Sequence, residues 1–233
     1  MKIMTFNTQH CLDYINQKID FEVMAKAIRE CGADIVGLNE MRDAGAAADY
    51  TAQTEKLAEL TGMPYYYFAK AIEFKGKGPY GNAILSKIPF VSVNTVIIPD
   101  PDPKENVNGY YETRCVLSAE LEGGVRVLVV HIGLNSDEKE NAIKTILENL
   151  RDEKCILMGD FNIQPDSPLL LPIKERMRDA SEKFECEKLS FPSDAPRIKI
   201  DYIFTSPDIE VISADIPAIV ASDHRPHTAE IKI

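Results

Sequence analysis

Polar residues follow a predicted buried strand in the run Met158-Gly159-Asp160-Phe161-Asn162, which offers a carboxylate and a carboxamide two residues apart. Residues i and i+2 of an extended segment point to the same side, so Asp160 and Asn162 are expected to reach one site together. Gly159 allows the backbone to approach a ligand closely. A carboxylate beside a neutral hydrogen-bond donor suits a reaction in which one group handles a proton and the other holds an anion. A strand-end Asp followed by an Asn in a turn is the structural alternative.

Amide and ionisable side chains also follow, interrupt or precede five other segments predicted to be strands. These segments and their polar residues are 2–6 with Asn7, 34–38 with Asn39 and Glu40, 125–130 with His131, 200–204 with Asp201, and the last strand with Asp223 and His224 before it. Polar groups gathered at several strand ends are typical of a metal or phosphate site in a sheet protein. One such residue alone is usually structural, whereas six coinciding segments favour a common site.

The elements that must position these residues are read from hydrophobic periodicity. Helices are predicted over residues 20–31, 51–60, 136–150 and 168–177. Gly32 is well placed to end the first helix, and Asn135 and Glu138 have capping-box spacing at the start of the third. Further strands are predicted over residues 65–68 and 81–85, and a stiff loop over the proline-rich residues 99–103.

Strands outnumber helices in this reading, and residues 200–233 are rich in strands, which does not fit the simple alternation of a doubly wound sheet. Two packed mixed β-sheets with helices outside them fit better, which gives an α/β (α+β) fold class. The chemistry would then lie where strand ends from both sheets converge. At 233 residues, the chain fits one large domain over residues 1–233 better than two small ones.

Composition argues against several classes of protein. The net charge of −11 at pH 7 repels phosphate backbones, so it disfavours nucleic acid as a partner, and it is compatible with binding a divalent cation. No apolar run approaches the length that spans a bilayer, and the first residues predict a strand in place of a leader peptide, so we expect a cytoplasmic protein. Five widely spaced cysteines without a C-x-x-C pair argue against a disulfide framework and against structural zinc. No obligate protein partner is predicted.

Taken in order, the polar segments resemble those of the endonuclease/exonuclease/phosphatase superfamily of deoxyribonuclease I-like, metal-dependent hydrolases. The matching segments cover nearly the whole chain and are Met4-Thr5-Phe6-Asn7, Leu38-Asn39-Glu40, Tyr80-Gly81-Asn82-Ala83-Ile84-Leu85-Ser86, Glu112-Thr113-Arg114, His131, Gly159-Asp160-Phe161-Asn162, Asp201-Tyr202-Ile203-Phe204 and Ser222-Asp223-His224-Arg225-Pro226. The resemblance implies a four-layer α/β sandwich and cleavage of a phosphate ester assisted by Mg²⁺ or Mn²⁺. One departure is Asn39, where the family usually has Gln, although the metal-binding Glu40 that follows is retained.

Three residues are predicted to hold the metal. Glu40 is the first candidate, because it stands at the family's ligand position and a hard divalent cation takes carboxylate oxygens. Asn7 would supply a neutral oxygen to the same ion or to its water, with an ordinary strand-to-loop Asn as the alternative. Asp223 is a further ligand, to that ion or to a second one.

Four residues are assigned to the proton and to the phosphate. Asp160 is expected to orient and deprotonate the attacking water as a general base. Asn162 would donate to a phosphate oxygen or help to hold that water. His224, as an imidazolium, would stabilise the charge on the phosphate. Asp201 would bond the far ring nitrogen of His224, fix its orientation and raise its pKa.

Three more residues are predicted to contact the substrate. His131 would be a second phosphate contact, with a satisfied core histidine as the alternative. Arg114 would clamp the phosphate with two hydrogen bonds, unless it forms an ordinary ion pair with Glu112. Asn82 is a weaker substrate-contact candidate. Arg225 and His227 are expected to be structural or peripheral.

The reaction predicted by these roles is direct hydrolysis of a phosphoester by water, without a covalent intermediate. Ser222 lacks the glycines of a nucleophile elbow, so no nucleophilic triad is indicated. The acidic charge favours a small or lipid-derived phosphoester, either a monoester or a diester, and residues 190–197 resemble small bacterial hydrolases of the sphingomyelinase-like branch. A DNA-repair endonuclease or exonuclease is the alternative. A catalytically silent binding module is a third reading, and the retained proton-transfer groups argue against it.

Overall fold

The computed structural model describes residues 1–106 and 109–233, and its framework is two six-stranded sheets. The strands of the first sheet, from one edge to the other, are β13 (Glu210–Asp215), β14 (His227–Lys232), β1 (Lys2–Asn7), β4 (Ile35–Arg42), β6 (Gly78–Ser86) and β5 (Tyr65–Phe74). β1 and β4 are parallel, and the other neighbouring pairs of this sheet are antiparallel. The first sheet is therefore mixed, as predicted.

The second sheet is also mixed. Its strands, in spatial order, are β11 (Arg178–Asp179), β12 (Asp201–Thr205), β10 (Cys155–Asp160), β9 (Arg126–His131), β8 (Cys115–Leu121) and β7 (Phe90–Ile97). β9 and β10 are parallel, and the remaining pairs are antiparallel. A small hairpin of β2 (Leu12–Asp13) and β3 (Lys18–Ile19) lies apart from both sheets.

The two sheets pack face to face, with a helical layer on each outer side. Successive side chains of a strand point to opposite faces, so Ile3 of β1 joins a buried cluster that contains Met158 of β10, while Met4 joins a cluster beneath the first helices. A third cluster joins the second sheet to the later helices through residues such as Leu157 and Ile146. These four layers confirm the predicted fold class.

The helices are α1 (Phe21–Cys31), α2 (Gln53–Thr61), α3 (Ser136–Asn149) and α4 (Leu171–Lys174). α1 ends at Gly32, which adopts the left-handed conformation, and α3 begins with the predicted capping box of Asn135 and Glu138. The helix predicted over 168–177 is confirmed only in part, since it is broken into two pieces and ends at Lys174. A 3₁₀ turn, Pro168–Leu170, precedes the short α4, because Pro172 has no N–H to donate and starts a new turn instead. In the part of the chain that the structure describes, no helix has the length and apolarity needed to cross a membrane.

Candidate active site

The strand registers bring the polar strand ends to one edge of the two sheets. In the first sheet, Asn7 at the end of β1 pairs with Asn39 of β4. In the second sheet, Asp160 at the end of β10 pairs with His131 at the end of β9 and, on its other side, with Asp201 at the start of β12. Parallel strands end together, and an antiparallel neighbour begins where its partner ends. Residues that lie far apart in sequence are therefore neighbours at this edge.

A β-bulge directs Glu40 into the site. The pairing of β4 with β6 shifts register between Leu38 and Met41, and Glu40 has a φ of 61°, which is rare for a residue with a side chain. The Asn7 amide then links two carboxylates, because its Nδ2 donates to Glu40 Oε1 at 3.1 Å and to Asp160 Oδ2 at 3.0 Å. Asn7 Oδ1 accepts from the backbone N–H of Gln9 at 3.1 Å.

Asp160 and Asn162 meet as predicted, but the reason given from the sequence is wrong. β10 ends at Asp160, and Asn162 is left-handed with a φ of 51°, so the two residues are not alternate positions of an extended strand. A tight turn joins them instead, in which the backbone N–H of Asn162 donates to Asp160 Oδ1 at 2.9 Å. Asn162 Nδ2 donates to the carbonyl of Ile132 at 2.9 Å and lies 3.3 Å from His131 Nε2.

His224 forms a buried pair with Asp201. Its Nδ1 is 2.8 Å from Asp201 Oδ2, and its Nε2 lies 3.6 Å from Asp160 Oδ2. Burial lowers the pKa of His224, but the Asp201 and Asp160 carboxylates outweigh that effect and raise the pKa to about 10. His224 is therefore an imidazolium near neutral pH, with one N–H bonded to Asp201 and the other facing Asp160.

Asp160 is a buried carboxylate between two imidazole rings. Its Oδ2 lies 3.6 Å from Nε2 of His131 and 3.6 Å from Nε2 of His224. Burial raises the pKa of Asp160 to about 7, although the positive charge of His224 opposes the rise. A carboxylate with a pKa near neutrality is suited to accept and release a proton.

His131 is held by Arg114, which in turn is held by Glu112. Arg114 Nη1 lies 3.0 Å from His131 Nδ1 and 2.6 Å from Glu112 Oε1. Burial, followed by the positive charge of Arg114, lowers the pKa of His131 well below its usual value, so this ring is neutral. Since arginine only donates, Nδ1 of His131 is the acceptor, which leaves its proton on the Nε2 that faces Asp160. The structure is compatible with both roles considered for Arg114. The ion pair with Glu112 is present, and Arg114 also lies beside His131, where a phosphate would be contacted.

The position of Asn82 does not support the substrate contact predicted for it. It is 2% exposed, its Oδ1 accepts from Asn39 Nδ2 at 2.8 Å, and its Nδ2 donates to the carbonyl of Cys115 at 2.9 Å. Both ends of the amide are used inside the protein, so the side chain has a structural part in the site.

The donor set around Glu40 fits a hard divalent cation. Asp223 follows the buried Ser222, whose hydroxyl donates to its Oδ1 at 3.0 Å. Burial raises the pKa of Asp223, and the nearby Glu40 carboxylate raises it further, so two acids compete for charge in the same region. A divalent cation between oxygen donors would relieve that repulsion.

A second group of ligand-type atoms, from Asp160, Asp201 and His224, lies within 4.8 Å of one another. Nδ1 of His224 is already bonded to Asp201, and the two carboxylates raise the pKa of the ring, which disfavours His224 as a metal ligand. Glu40, Asp223 and the neighbouring Asn7 offer a separate set of oxygen donors.

Lys199 was missed by the sequence reasoning, although it interrupts the apolar residues Ile198 and Ile200. Its side chain is 5% exposed, and its Nζ lies 3.6 Å from Asp179 Oδ2 and 3.3 Å from the centre of the Tyr202 ring. A buried cation thus lies behind the strand that carries the Asp201 carboxylate. The position of a charged residue inside an apolar run is the signal that could have identified Lys199.

His227 and Arg225 make structural contacts around the same strand and loop. His227 is buried, and its Nδ1 lies 3.3 Å from the carbonyl oxygen of Asp201. Arg225 Nε donates to the carbonyl of Ser193 at 2.7 Å.

Gly159 allows β10 to pass close to β9. Its φ is +146°, and a Cβ there would lie 1.8 Å from the carbonyl oxygen of Val130. Gly159→Ala is expected to destabilise the fold by about 2–6 kcal/mol, because backbone strain and overpacking each cost about 1–3 kcal/mol. Urea unfolding measures this loss. Gly76→Ala is the control, since Gly76 also has a positive φ of +72° but no atom within 4 Å of its added Cβ. Equal losses in the two variants would contradict the close-approach argument.

Comparison with known proteins assigns the chain to a known family. A sequence model described as the Endonuclease/Exonuclease/phosphatase family matches residues 4–224. YbhP of Escherichia coli strain K12, described as uncharacterized, is 24% identical over 257 aligned residues that cover all of this chain and 96% of that protein.

Two solved structures share the fold over the whole chain. An endonuclease/exonuclease/phosphatase from Beutenbergia cavernae DSM 12333 superposes with a TM-score of 0.78 at 22% identity, covering 100% of this chain and 71% of that one. The mannosyl-6-phosphatase Bt3783 of Bacteroides thetaiotaomicron VPI-5482 superposes with a TM-score of 0.75 at 17% identity, covering 100% of both chains. At such identities the likeness establishes the fold alone.

Proposed function

The chain belongs to the endonuclease/exonuclease/phosphatase family, and on that premise we propose that it hydrolyses a phosphoester by direct attack of water, with a divalent metal bound at Glu40. The observation that carries the proposal is the environment of Asp160, a buried carboxylate with a pKa near 7 that lies 3.6 Å from both His131 and His224. A base poised near neutrality, beside an imidazolium that can stabilise an anion, is what hydrolysis by water requires.

Asp160 takes the proton of the attacking water. Its carboxylate is held in place by the amide of Asn7 and by the backbone N–H of Asn162, so its free lone pairs have a fixed direction. His224 stabilises the negative charge that develops on the phosphate, and Asp201 keeps its ring protonated and oriented.

Asn162, His131 and Arg114 form the remaining side of the phosphate site. Asn162 Nδ2 and the protonated Nε2 of the neutral His131 lie 3.3 Å apart, so both would donate to the same phosphate group. Arg114 orients His131 through Nδ1, and its guanidinium has further N–H groups for a phosphate oxygen.

Glu40, Asp223 and Asn7 would hold the metal, and oxygen donors favour Mg²⁺ or Mn²⁺. When bound, such an ion polarises the phosphoryl oxygens as a Lewis acid. Asn7 donates from Nδ2 to both Glu40 and Asp160, so its oxygen would reach the ion only after the amide flips, which gives up the bond to Asp160.

The proposed substrate is a small or lipid-derived phosphoester. The net charge of −11 opposes the approach of a nucleic acid backbone, which disfavours a DNA-repair nuclease. The mannosyl-6-phosphatase among the structural neighbours makes sugar phosphates one class to include in a substrate test.

Metal-stripped protein is expected to be inactive and to regain turnover with Mg²⁺ or Mn²⁺. The substrates compared are p-nitrophenyl phosphate, bis-p-nitrophenyl phosphate, hexose 6-phosphates, inositol phosphates, sphingomyelin and abasic DNA. Glu40→Gln is expected to raise the half-saturating Mg²⁺ concentration by at least about 10-fold, because one carboxylate of the metal site is lost. The exposed Glu59→Gln, on α2, is the control. Turnover that survives removal of all divalent metal would overturn the metal assignment.

A further inference from the structure

We infer that two buried asparagines, Asn39 and Asn82, form a clasp between the sheets that positions Asp160 for the proposed reaction. The inference rests on the proposed function, since it concerns the precision with which the general base is held. Both side chains are buried with their amides bonded inside the protein, so both are positioning residues.

The clasp is a continuous set of hydrogen bonds from the first sheet to three strands of the second. Asn82 of β6 donates to the carbonyl of Cys115 on β8 at 2.9 Å. Asn39 of β4 donates from Nδ2 to Asn82 Oδ1 and to the carbonyl of Val130 on β9, both at 2.8 Å. Asn39 Oδ1 accepts from the backbone N–H of Asp160 on β10 at 3.0 Å. Both asparagines are buried, at 0% and 2% exposure.

The position of the clasp matters because the catalytic groups are divided between the sheets. Asn7 and Glu40 belong to the first sheet, whereas His131 and Asp160 belong to the second. Most of the remaining contact between the sheets is apolar and therefore non-directional, although the Asn7–Asp160 and Tyr67–Thr95 hydrogen bonds also join them. Hydrogen bonds to the backbone fix distance and direction, so the clasp sets where the base stands relative to Glu40.

Asn39 also lies inside the bulge that turns Glu40 toward the site. Asn39 therefore bonds the backbone of the general base, Asp160, and directly precedes Glu40, the carboxylate proposed for the metal site. A merely structural explanation is that two buried amides satisfy each other. That explanation predicts a loss of stability without a selective loss of kcat.

Asn39→Leu is the decisive variant, and Ser206→Ala is its matched control. Ser206 is buried and its Oγ accepts from the backbone N–H of Cys155 at 2.9 Å, so it bonds the opposite end of the same strand. In the wild type and both variants, kcat, KM and the midpoint of thermal unfolding are measured on the best substrate of the panel. Asn39→Leu is expected to lower kcat by about 100-fold with KM within about threefold, because small misplacements of a catalytic group have effects of that order. Ser206→Ala should keep kcat within about threefold of the wild type.

A double-mutant cycle tests whether the two asparagines act as one unit. Asn82→Leu removes the acceptor of Asn39 and is expected to lower kcat in the same direction, while the double variant should lose little more than Asn39→Leu alone. Additive losses would overturn the idea of a single clasp. If Asn39→Leu does not fold, Asn39→Ser is used, because its shorter hydroxyl cannot bridge the same partners.

Hydrogen exchange gives a readout that does not depend on turnover. The Asp160 amide is expected to exchange faster in Asn39→Leu than in the wild type, and at the wild-type rate in Ser206→Ala. Unchanged exchange in Asn39→Leu, or a kcat loss no greater than that of Ser206→Ala, overturns the inference. A wild-type protein that splits no phosphoester overturns the proposed function instead, and the exchange comparison still decides whether the clasp holds Asp160.

Discussion

Asp160→Asn is expected to lower kcat by about 10²–10⁴-fold while the protein remains folded. The amide has nearly the shape of the carboxylate and can still accept the N–H of Asn162, so the local turn should persist. It cannot take a proton from water near neutral pH, which removes general-base catalysis. Steady-state kinetics on the best phosphoester of the panel, at saturating Mg²⁺, measure the loss.

Asp208→Asn is the control for the lost negative charge. Asp208 accepts from the backbone N–H of Lys154 and from the hydroxyl of Ser206 near the opposite end of β10. Asp208→Asn therefore removes one carboxylate close to β10 without changing a residue of the site. If Asp160→Asn retained the kcat of the wild type, or if Asp208→Asn lost as much, Asp160 would not be the base.

His224→Ala is the second substitution with a large expected effect, a loss of about 10²–10³-fold in kcat. The variant lacks the imidazolium that stabilises the phosphate, and it also leaves the Asp201 carboxylate buried without its 2.8 Å partner. Some destabilisation is expected as well, since a buried charge without a partner is costly. Kinetics and thermal unfolding measured together separate the two effects.

His227→Gln is the matched control for His224→Ala. His227 is a buried histidine on the other side of Asp201, where its Nδ1 faces the backbone carbonyl of that residue and not its carboxylate. Its replacement should lower stability more than kcat. A kcat loss as large as that of His224→Ala would show that any disturbance around Asp201 stops the reaction, and would remove the special role given to His224.

The pH dependence of kcat/KM follows from the same two groups. Asp160 works as a base only when deprotonated, so activity falls as the pH drops through its pKa of about 7, and a bound cation nearby moves that limb to lower pH. His224 works only when protonated, so activity falls again as the pH rises through about 10. Asp201→Asn removes the carboxylate that most strongly raises the pKa of His224, and the alkaline limb is expected to move toward 6.5. An alkaline limb unchanged in Asp201→Asn would contradict the assignment.

The sequence was sufficient for the fold class and for the central strands, and it identified the polar strand ends that the structure brings together. Short apolar runs with polar residues at their ends are local signals, and the ordered segments from Asn7 to His224 carried the family resemblance. The capping box of Asn135 and Glu138 and the left-handed Gly32 were likewise readable, because capping depends on residues within one turn.

The sequence did not show which residues distant in the chain contact one another. The bulge at Glu40 and the turn at Asn162 depend on backbone conformations imposed by neighbouring strands, and no local pattern specifies them. Asn82 belonged to a matching segment and was therefore assigned to the substrate, whereas its bonds to Asn39 and Cys115 depend on how the sheets stack. Amide side chains serve equally well as substrate contacts and as internal hydrogen-bond partners, so residue type alone does not separate the two roles.

The order of strands in the first sheet has a consequence for synthesis on the ribosome. β1 lies between β4 and β14, so β1 cannot complete its pairing until β14, which lies far along the chain, has been translated. Until then one edge of β1 offers unpaired backbone groups, which are a template for pairing with other nascent chains. We therefore expect stalled or truncated translation products that end before β14 to aggregate and to be recognised by chaperones.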